Sequence, residues 1–384
     1  MIYLLIILYL LFFAFLYDYT NFTKGNSVIY RLSFIIFVLL AGFRYRVGGD
    51  TINYMMVYDE LPNLYEMFST NVPYVKLQPF WILVVAISKT VSNEFFILQL
   101  LQASIVNYAI FNFAKSYTKF KHTYLFLYFV CFYGYFNFEI MREALAISIF
   151  LLSIEYLQNN KLRIYFIYCI IALMFHYSAI ILFFFPYLLK NKLSYILIVF
   201  VLLFGVFFNS IFYSIITSLS FNNGLVDTLI SYSDYKYTFN GLISLVILYF
   251  VYPYCVEYLN NRYNSYHKLN NSYIRLYLLL GVLSTVFFIF FRFTNYLFPL
   301  IFIYITNIAH SFFRISSFRS YYRVVSVCFL IFVVGLNTSK YFVIQYTGMN
   351  EIRWYSKWYP YYSIFNKEED TKREVLWDFN NNKN

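Results

Sequence analysis

The stretch that decides the fold stands at the start of the chain and reads M-I-Y-L-L-I-I-L-Y-L-L-F-F-A-F-L-Y, residues 1–17. It lacks the basic start and the small-residue cleavage site of a signal peptide, so we expect a retained first helix. Apolar runs of similar length, close to the roughly 20 residues that cross a bilayer, recur along the chain. They lie at about 28–43, 95–114, 122–138, 143–158, 164–189, 193–213, 240–258, 274–291, 293–311 and 324–338.

The composition points to the same fold class. Of 384 residues, 61% are hydrophobic and 12% are charged, whereas an average soluble domain has about 45–50% and about 25%. This excludes a soluble enzyme and a disordered chain. It predicts an all-α polytopic membrane protein with about 10–12 transmembrane helices, some of them short or re-entrant. We expect a single transmembrane domain over 1–340, with outer loops at about 44–78 and 214–239, and a polar, aromatic-rich C-terminal tail over 341–384.

Two apolar runs do not fit a simple count of spans. Pro79–Val91 is short and carries Lys89, which favours a re-entrant or interfacial helix. The run 164–189 is long, has His176 near its middle and is flanked by basic residues at both ends. Basic flanks are typical of cytoplasmic ends. We therefore predict a hairpin of two short helices with His176 near the turn, and a single long tilted helix is the alternative.

Topology explains most of the net charge of +11. With the N-terminus outside, the basic excess falls on the inner side of the membrane, as the positive-inside rule requires. The charge therefore needs no nucleic acid and no acidic partner. The four cysteines lie within apolar runs and have neither metal-ligand nor disulfide spacing, and we expect no metal site and no cofactor.

Four arginines go against the inside bias, because they fall at the outer ends of apolar runs. They are Arg44, Arg46, Arg142 and Arg292. A charge beside or within the membrane is costly and usually has a partner or a function. The alternative for each arginine is a snorkelling side chain that anchors a helix end. Because four of them would share one face, we interpret them as a functional surface.

The first motif is R-Y-R-V-G-G-D-T-I-N-Y, residues 44–54. Arg44 and Arg46 can both face one anion if the chain is extended there. The glycine pair between them and Asp50 permits close backbone approach. Asp50 can orient an arginine or accept a proton.

The second motif is E-I-M-R-E-A-L-A-I-S-I-F, residues 139–150. Helical spacing puts Glu139, Arg142 and Glu143 on one face. The group is either functional or a charge cluster that caps the helix at the membrane interface.

Two further polar motifs interrupt apolar runs. One is A-L-M-F-H-Y-S-A, residues 172–179, in which Ser178 follows His176 and the hairpin lifts both toward the outer face. A histidine in an apolar run is otherwise a satisfied core group. The other motif is F-F-R-F-T-N-Y-L-F-P-L, residues 290–300.

Taken in order, these motifs resemble the EpsG family of bacterial polysaccharide polymerases, a branch of the Wzy-type O-antigen and capsule polymerases. The resemblance covers about 40–300. Two positions depart from the family pattern. The family often has a Gly-Thr-Asp-Tyr loop, whereas here Asp50 precedes Thr51 and the tyrosine is delayed to Tyr54. A glutamine commonly follows the second-motif arginine, and Glu143 stands there in this chain.

The resemblance implies a GT-C-like polymerase architecture and a function. Such enzymes transfer a glycan from undecaprenyl diphosphate to the non-reducing end of a lipid-linked repeat unit, at the outer face of the bacterial inner membrane. They are metal-independent membrane glycosyltransferases. The implied partners are the undecaprenyl-diphosphate-linked oligosaccharide, membrane lipid and a chain-length regulator protein.

The chemistry assigns roles to the residues singled out above. Guanidinium groups match phosphate oxygens and stay charged, so the four outer arginines are expected to bind the leaving diphosphate. An attacking sugar hydroxyl needs a base, for which His176, Asp50 and Glu143 are the candidates. The glycan is expected on Tyr54, Tyr296 and Trp354. The aromatic segments 231–240 and 354–362 offer further surfaces or, equally, an interfacial aromatic belt.

Three other functions compete with polymerisation. A flippase or transporter for the lipid-linked glycan would also place arginines near a diphosphate, but it would more often show internal repeats, and none is visible in this sequence. An O-antigen ligase would share the chemistry and use a different acceptor. A large outer loop would favour a ligase, whereas the outer loops expected here are only those at about 44–78 and 214–239. A membrane O-acetyltransferase would have a buried histidine but would leave the arginines unexplained.

Overall fold

The computed structural model describes residues 1–20, 22–67, 77–190, 198, 200, 246–263, 268–287, 289–314, 319–347 and 350–381. The predicted fold class, an all-α polytopic membrane protein, is confirmed, since about 80% of the structure is helical and strands are nearly absent from the described residues. Within them, three helices are long and apolar enough to cross a bilayer: Ile2–Tyr19, Phe96–Tyr117 and Tyr321–Phe342. Only residues 198 and 200 of the predicted apolar run 193–213 are described. The predicted loop 214–239 lies wholly outside the described residues.

The chain forms two compact units, Met1–Ile180 with Val327–Asn384, and Ile181–Ser326. The prediction of a single domain over 1–340 stays a prediction. The segment Met1–Ile180 of the first unit contains the α-helices α1 Ile2–Ala14, α2 Asn26–Gly42, α3 Thr51–Glu60, α4 Leu64–Met67, α5 Pro79–Val91, α6 Phe96–Tyr117, α7 Lys121–Tyr128, α8 Met141–Gln158 and α9 Leu162–Leu173. A π-helical turn extends α1 over Phe15–Tyr19, and two more follow α7 over Phe129–Tyr133 and Tyr135–Glu139.

The second unit is also helical where it is described. After the 3-10 helix Tyr177–Phe184 come α10 Phe185–Lys190, a π turn Ile247–Val251, α11 Tyr252–Tyr263, α12 Ser272–Val286, α13 Phe290–Thr294 and α14 Phe298–Arg314. Glu257 of α11 pairs with Arg275 of α12 at 2.8 Å. Tyr249 packs so closely on Gly281 that a Cβ there would lie 2.6 Å from the tyrosine Cβ.

The last part of the chain consists of α15 Arg319–Thr338, a 3-10 turn Ser339–Phe342, the antiparallel strands β1 Ile344–Thr347 and β2 Asn350–Arg353, a 3-10 turn Trp354–Lys357 and α16 Thr371–Asn381. From Val327 onward it belongs to the first unit. The tail bonds to the start of the first loop through its backbone. Tyr45 N–H donates to Tyr362 O, and Ile364 N–H donates to Phe43 O, each at 2.9 Å.

A buried polar network joins α6 to the π turns that lead into α8. Asn107 donates to Asn137 Oδ1 at 3.0 Å, Tyr128 donates to Asn107 Oδ1 at 3.1 Å, and Asn137 donates to Tyr128 Oη at 2.9 Å. Polar groups inside a membrane bundle must satisfy one another, because hydrocarbon offers no partners. The network therefore fixes the segment that carries Glu139 and Arg142.

The two unusual runs take definite forms. Pro79–Val91 is a 13-residue helix, and Lys89 near its end donates to the carbonyl oxygens of Tyr58, Asp59 and Leu61 at 3.1, 2.9 and 2.6 Å. The run 164–189 is broken after Leu173 rather than forming one long helix, because a turn at residues 174–176 separates α9 from the 3-10 helix. His176 lies in this turn, where the two-helix interpretation puts it.

Candidate active site

Arg44 is buried and serves the loop that contains it, which we call the arginine loop (residues 44–50). Its guanidinium donates to Val47 O at 3.1 Å, to Ala41 O, and to Met141 Sδ at 3.3 Å. The guanidinium carbon also lies 4.9 Å from the centroid of the Phe138 ring. Burial lowers the pKa of Arg44 to about 10, which leaves the group charged at neutral pH. These contacts give Arg44 a structural role in shaping the loop.

Arg46 points away from Arg44 and toward the tail. Its φ of 51° is left-handed, a conformation that few residues other than glycine adopt, so the chain here is not extended. The guanidinium meets the Glu374 carboxylate at 2.9 and 2.6 Å, and this bond raises the pKa of Arg46. The extended geometry in which both arginines face one anion is therefore not the one adopted, and their predicted contact with the diphosphate stays a prediction.

Glu139 joins the arginine loop to the tail. Its Oε1 accepts hydrogen bonds from Gly49 N–H and from Trp358 Nε1–H, both at 2.7 Å, and Lys357 Nζ lies 3.8 Å from Oε2. A side chain at Gly49 would displace the Glu139 carboxylate, since a Cβ would lie 2.6 Å from Glu139 Oε2. Gly48 has φ 122°, which glycine alone adopts readily.

The expected grouping of Glu139 with Arg142 and Glu143 on one helical face is wrong in one respect. Ile140, at φ −102° and ψ 49°, interrupts the helix between Glu139 and α8. Residues 139 and 142 are therefore not one turn apart on a single regular helix, and their side chains need not share a face. Glu139 turns to the arginine loop, whereas Glu143 lies 1% exposed in the first turn of α8.

Arg142 occupies a different environment from the other arginines of this unit. Its Nη1 donates to Gln78 Oε1 at 3.2 Å, and its guanidinium carbon lies 6.0 Å from the centroid of the Tyr54 ring. Its Nε is buried without a hydrogen-bond partner in the described part of the chain. No carboxylate among those residues pairs with it. A half-buried guanidinium with neutral neighbours keeps an uncompensated positive charge, which suits an anionic ligand.

His176 is held in one orientation by Ser178. The Ser178 backbone N–H donates to His176 Nδ1 at 3.2 Å, and Ser178 Oγ lies 2.6 Å from the same nitrogen. Because a backbone N–H can only donate, Nδ1 is an acceptor, and the neutral ring carries its proton on Nε2. In this tautomer Nε2–H is a hydrogen-bond donor, and the predicted role of His176 as a base stays a prediction.

The start of α5 links Arg142 to the His176 turn. Phe80 N–H donates to Met174 O at 3.1 Å, and the Phe80 and Phe175 rings lie 5.6 Å apart. Gln78, which holds Arg142, lies two residues before Phe80. Arg142 and the turn that contains His176 therefore both contact the start of α5.

Sequence reasoning singled out neither Gln78 nor Trp81. Gln78 is 4% exposed and precedes a helix that begins with proline. A polar residue directly before this proline was the sequence feature that could have indicated it. Trp81 is 1% exposed and lies 5.6 Å from the Tyr54 ring, where it supports the tyrosine next to Arg142.

The remaining predicted site residues fall into separate places. Asp50 is exposed at the start of α3, and its carbonyl accepts Tyr54 N–H at 3.1 Å. Trp354 lies in the tail, where the centroid of its ring is 4.0 Å from Lys357 Nζ. Arg292, in α13, and the fully buried Tyr296 belong to the second unit. The aromatic segment 231–240 lies outside the described residues.

The described residues contain no group of three or more histidine, cysteine, aspartate or glutamate side chains that could hold a metal ion. The apolar spanning helices define a helical membrane protein, and Arg142 with the oriented His176 marks its candidate site. The sequence profile of the EpsG family matches residues 27–363, and the chain belongs to this family. It is thus a membrane protein of polysaccharide biosynthesis. Comparison with curated proteins and with solved structures gave no significant match.

Proposed function

We propose that this protein is a polysaccharide polymerase of the bacterial inner membrane, with its active site on the outer face. It transfers a glycan from an undecaprenyl-diphosphate carrier to the non-reducing end of a lipid-linked repeat unit. Besides family membership, the observation that carries the proposal is Arg142, whose charge has only neutral partners in the described chain. A diphosphate leaving group supplies the missing negative charge.

The transfer is balanced without a further reactant. A hydroxyl oxygen of the acceptor sugar attacks the anomeric carbon of the carrier-linked sugar, and the bond from that carbon to the diphosphate oxygen breaks. The diphosphate leaves with the electron pair, and the hydroxyl proton passes to a base. Arg142 stabilises the charge that develops on the diphosphate, and His176 Nε2–H donates to one of its oxygens.

Asp50 is the base in this proposal, and Glu143 is the alternative. Asp50 is exposed and lies one helical turn before Tyr54, whose ring is next to Arg142. Glu143 is 1% exposed, so a sugar hydroxyl reaches it less easily. Tyr54, with Trp81 behind it, offers a face on which a sugar ring can stack.

Arg44 and Arg46 act indirectly in this scheme, because each already has protein partners. They shape the loop that carries Asp50. Arg292 and Tyr296 remain proposed contacts for the diphosphate and the glycan, supported by the family resemblance of their motif. A chain-length regulator protein remains a proposed partner.

The experiment that tests the function is deletion of the gene followed by electrophoresis of the surface polysaccharide. Loss of a polymerase leaves single repeat units at the surface and removes the ladder of longer chains. Loss of the single unit from the surface as well would instead indicate a flippase or a ligase. A normal ladder would contradict all of these functions.

A further inference from the structure

An apolar cavity of about 280 Å³ lies in the first unit, away from the residues of the proposed site. Tyr3 and Ile7 of α1, Tyr341 and Phe342 after α15, and Trp358 of the tail line it. The volume is at or below the low end of the range of about 300–1,000 Å³ for ligand pockets. It therefore suits a single hydrocarbon chain rather than a whole glycan.

The helices beside the cavity present apolar side chains to their surroundings. Leu5 and Leu8 of α1 are 59% and 54% exposed, and Ile331 and Phe332 of α15 are 65% and 58% exposed. Such faces on spanning helices contact the bilayer. Because the cavity lies between the start of α1 and the end of α15, lipid chains at that depth of the membrane can enter it.

The 3-10 turn that follows α15 carries Tyr341, which lines the cavity, and Lys340 next to it. Lys340 Nζ lies 5.1 Å from the centroid of the Tyr341 ring and 5.5 Å from that of Tyr135. No carboxylate of the described chain pairs with this lysine. The Tyr341 hydroxyl, on a residue that lines the cavity, is buried and has no hydrogen-bond partner in the same part of the chain. A buried hydroxyl without a partner is costly, and an external group can satisfy it.

We propose that this cavity binds one acyl chain of an anionic bilayer phospholipid, whose phosphate contacts Lys340 and the Tyr341 hydroxyl. The apolar lining takes the chain, and the lysine with its neighbouring hydroxyl takes the head group. A lysine ammonium attracts the phosphate of an anionic head group and can donate a charge-assisted hydrogen bond to it. The bilayer supplies this ligand at high concentration. Since Arg142, Gln78 and Tyr54 do not line the cavity, the proposal is independent of the polymerase reaction.

Native mass spectrometry of the purified full-length protein tests the site, with phosphatidylglycerol and phosphatidylcholine added in equal amounts. The expected result is one retained phosphatidylglycerol. Lys340→Gln should lower the retained fraction roughly tenfold, because a charge-assisted hydrogen bond is lost. Lys372→Gln, at an exposed lysine of α16, is the matched control and should retain the lipid.

A second pair of variants separates the cavity from the head-group contact. Ile7→Trp narrows the cavity and should lower retention, whereas Leu8→Trp, on the neighbouring bilayer-facing residue, should leave it unchanged. Equal retention of both lipids by the unaltered protein would overturn the proposal, as would undiminished phosphatidylglycerol in Lys340→Gln. Displacement of phosphatidylglycerol by an equal amount of polyprenyl phosphate would also overturn it and assign the cavity to the carrier lipid.

Discussion

Arg46 and Glu374 form a two-point ion pair, with Nε–Oε1 and Nη2–Oε2 distances of 2.9 and 2.6 Å. The arginine belongs to the arginine loop and the glutamate to α16. Arg373, beside Glu374, donates to the Arg46 carbonyl oxygen at 3.0 Å and is itself 1% exposed. The tail is therefore a structured cover for the arginine loop, and the loop's shape depends on residues near the opposite end of the chain.

The first prediction concerns this ion pair. Arg46→Gln and Glu374→Gln should each lower the melting temperature in detergent, and the double variant should be no less stable than the worse single variant. The two side chains are only 21% and 24% exposed, so we expect a coupling energy of about 1 kcal/mol, at the upper end for surface pairs.

The matched control is the pair of Lys367 with Glu94, which is 3.6 Å apart and 52% and 60% exposed. Solvent screens such a pair, so its removal should leave the melting temperature unchanged. Additive losses for Arg46 and Glu374 would show that the two-point contact does not stabilise the protein.

The second prediction concerns Gly49. Gly49→Ala puts a methyl group 2.6 Å from Glu139 Oε2 and 2.9 Å from Lys357 Nζ. The atoms that must move are the ends of two side chains, but the Glu139 carboxylate is held by two hydrogen bonds. We therefore expect a loss of about 1 kcal/mol of stability, at the low end for overpacked sites, measured as a lower melting temperature. Gly335→Ala is the control, because a Cβ there meets nothing within 4 Å, and it should be neutral or slightly stabilising in a helix. Equal melting temperatures for both variants would contradict the close packing of the loop.

Hydropathy was enough to predict the helical class and most apolar helices, because a spanning segment must be apolar along its own length. The rule that charges near the membrane usually have a partner or a function singled out Arg142, and the interruption of an apolar run singled out His176. The partner of Arg46 could not be predicted, since Glu374 lies 328 residues away in sequence and the left-handed turn at Arg46 leaves no local pattern. The separation of Glu139 from Arg142 depends on the break at Ile140, and an isoleucine carries no turn or helix-stop signal in the sequence.

The third prediction concerns Arg142. Arg142→Ala should abolish the polysaccharide ladder, because no other described cation occupies the position beside Gln78 and Tyr54. Arg142→Lys should retain part of it, since lysine keeps the charge but loses the two-point guanidinium contact with phosphate. Arg353→Ala, at an exposed tail arginine, should leave the ladder normal. Membrane levels of each variant are compared by immunoblot, and a normal ladder in Arg142→Ala would remove this residue from the site.

The last prediction distinguishes a donor from a base at His176. If Nε2–H donates to the diphosphate, His176→Gln should keep part of the ladder, because the glutamine amide can place an N–H near the same position. His176→Ala has no such donor and should lose the ladder. Ser178→Ala should weaken the ladder less than His176→Ala, since the backbone N–H still orients the ring. Complete and equal loss in His176→Gln and His176→Ala, at normal membrane levels, would instead favour a base, because glutamine cannot accept the hydroxyl proton at neutral pH.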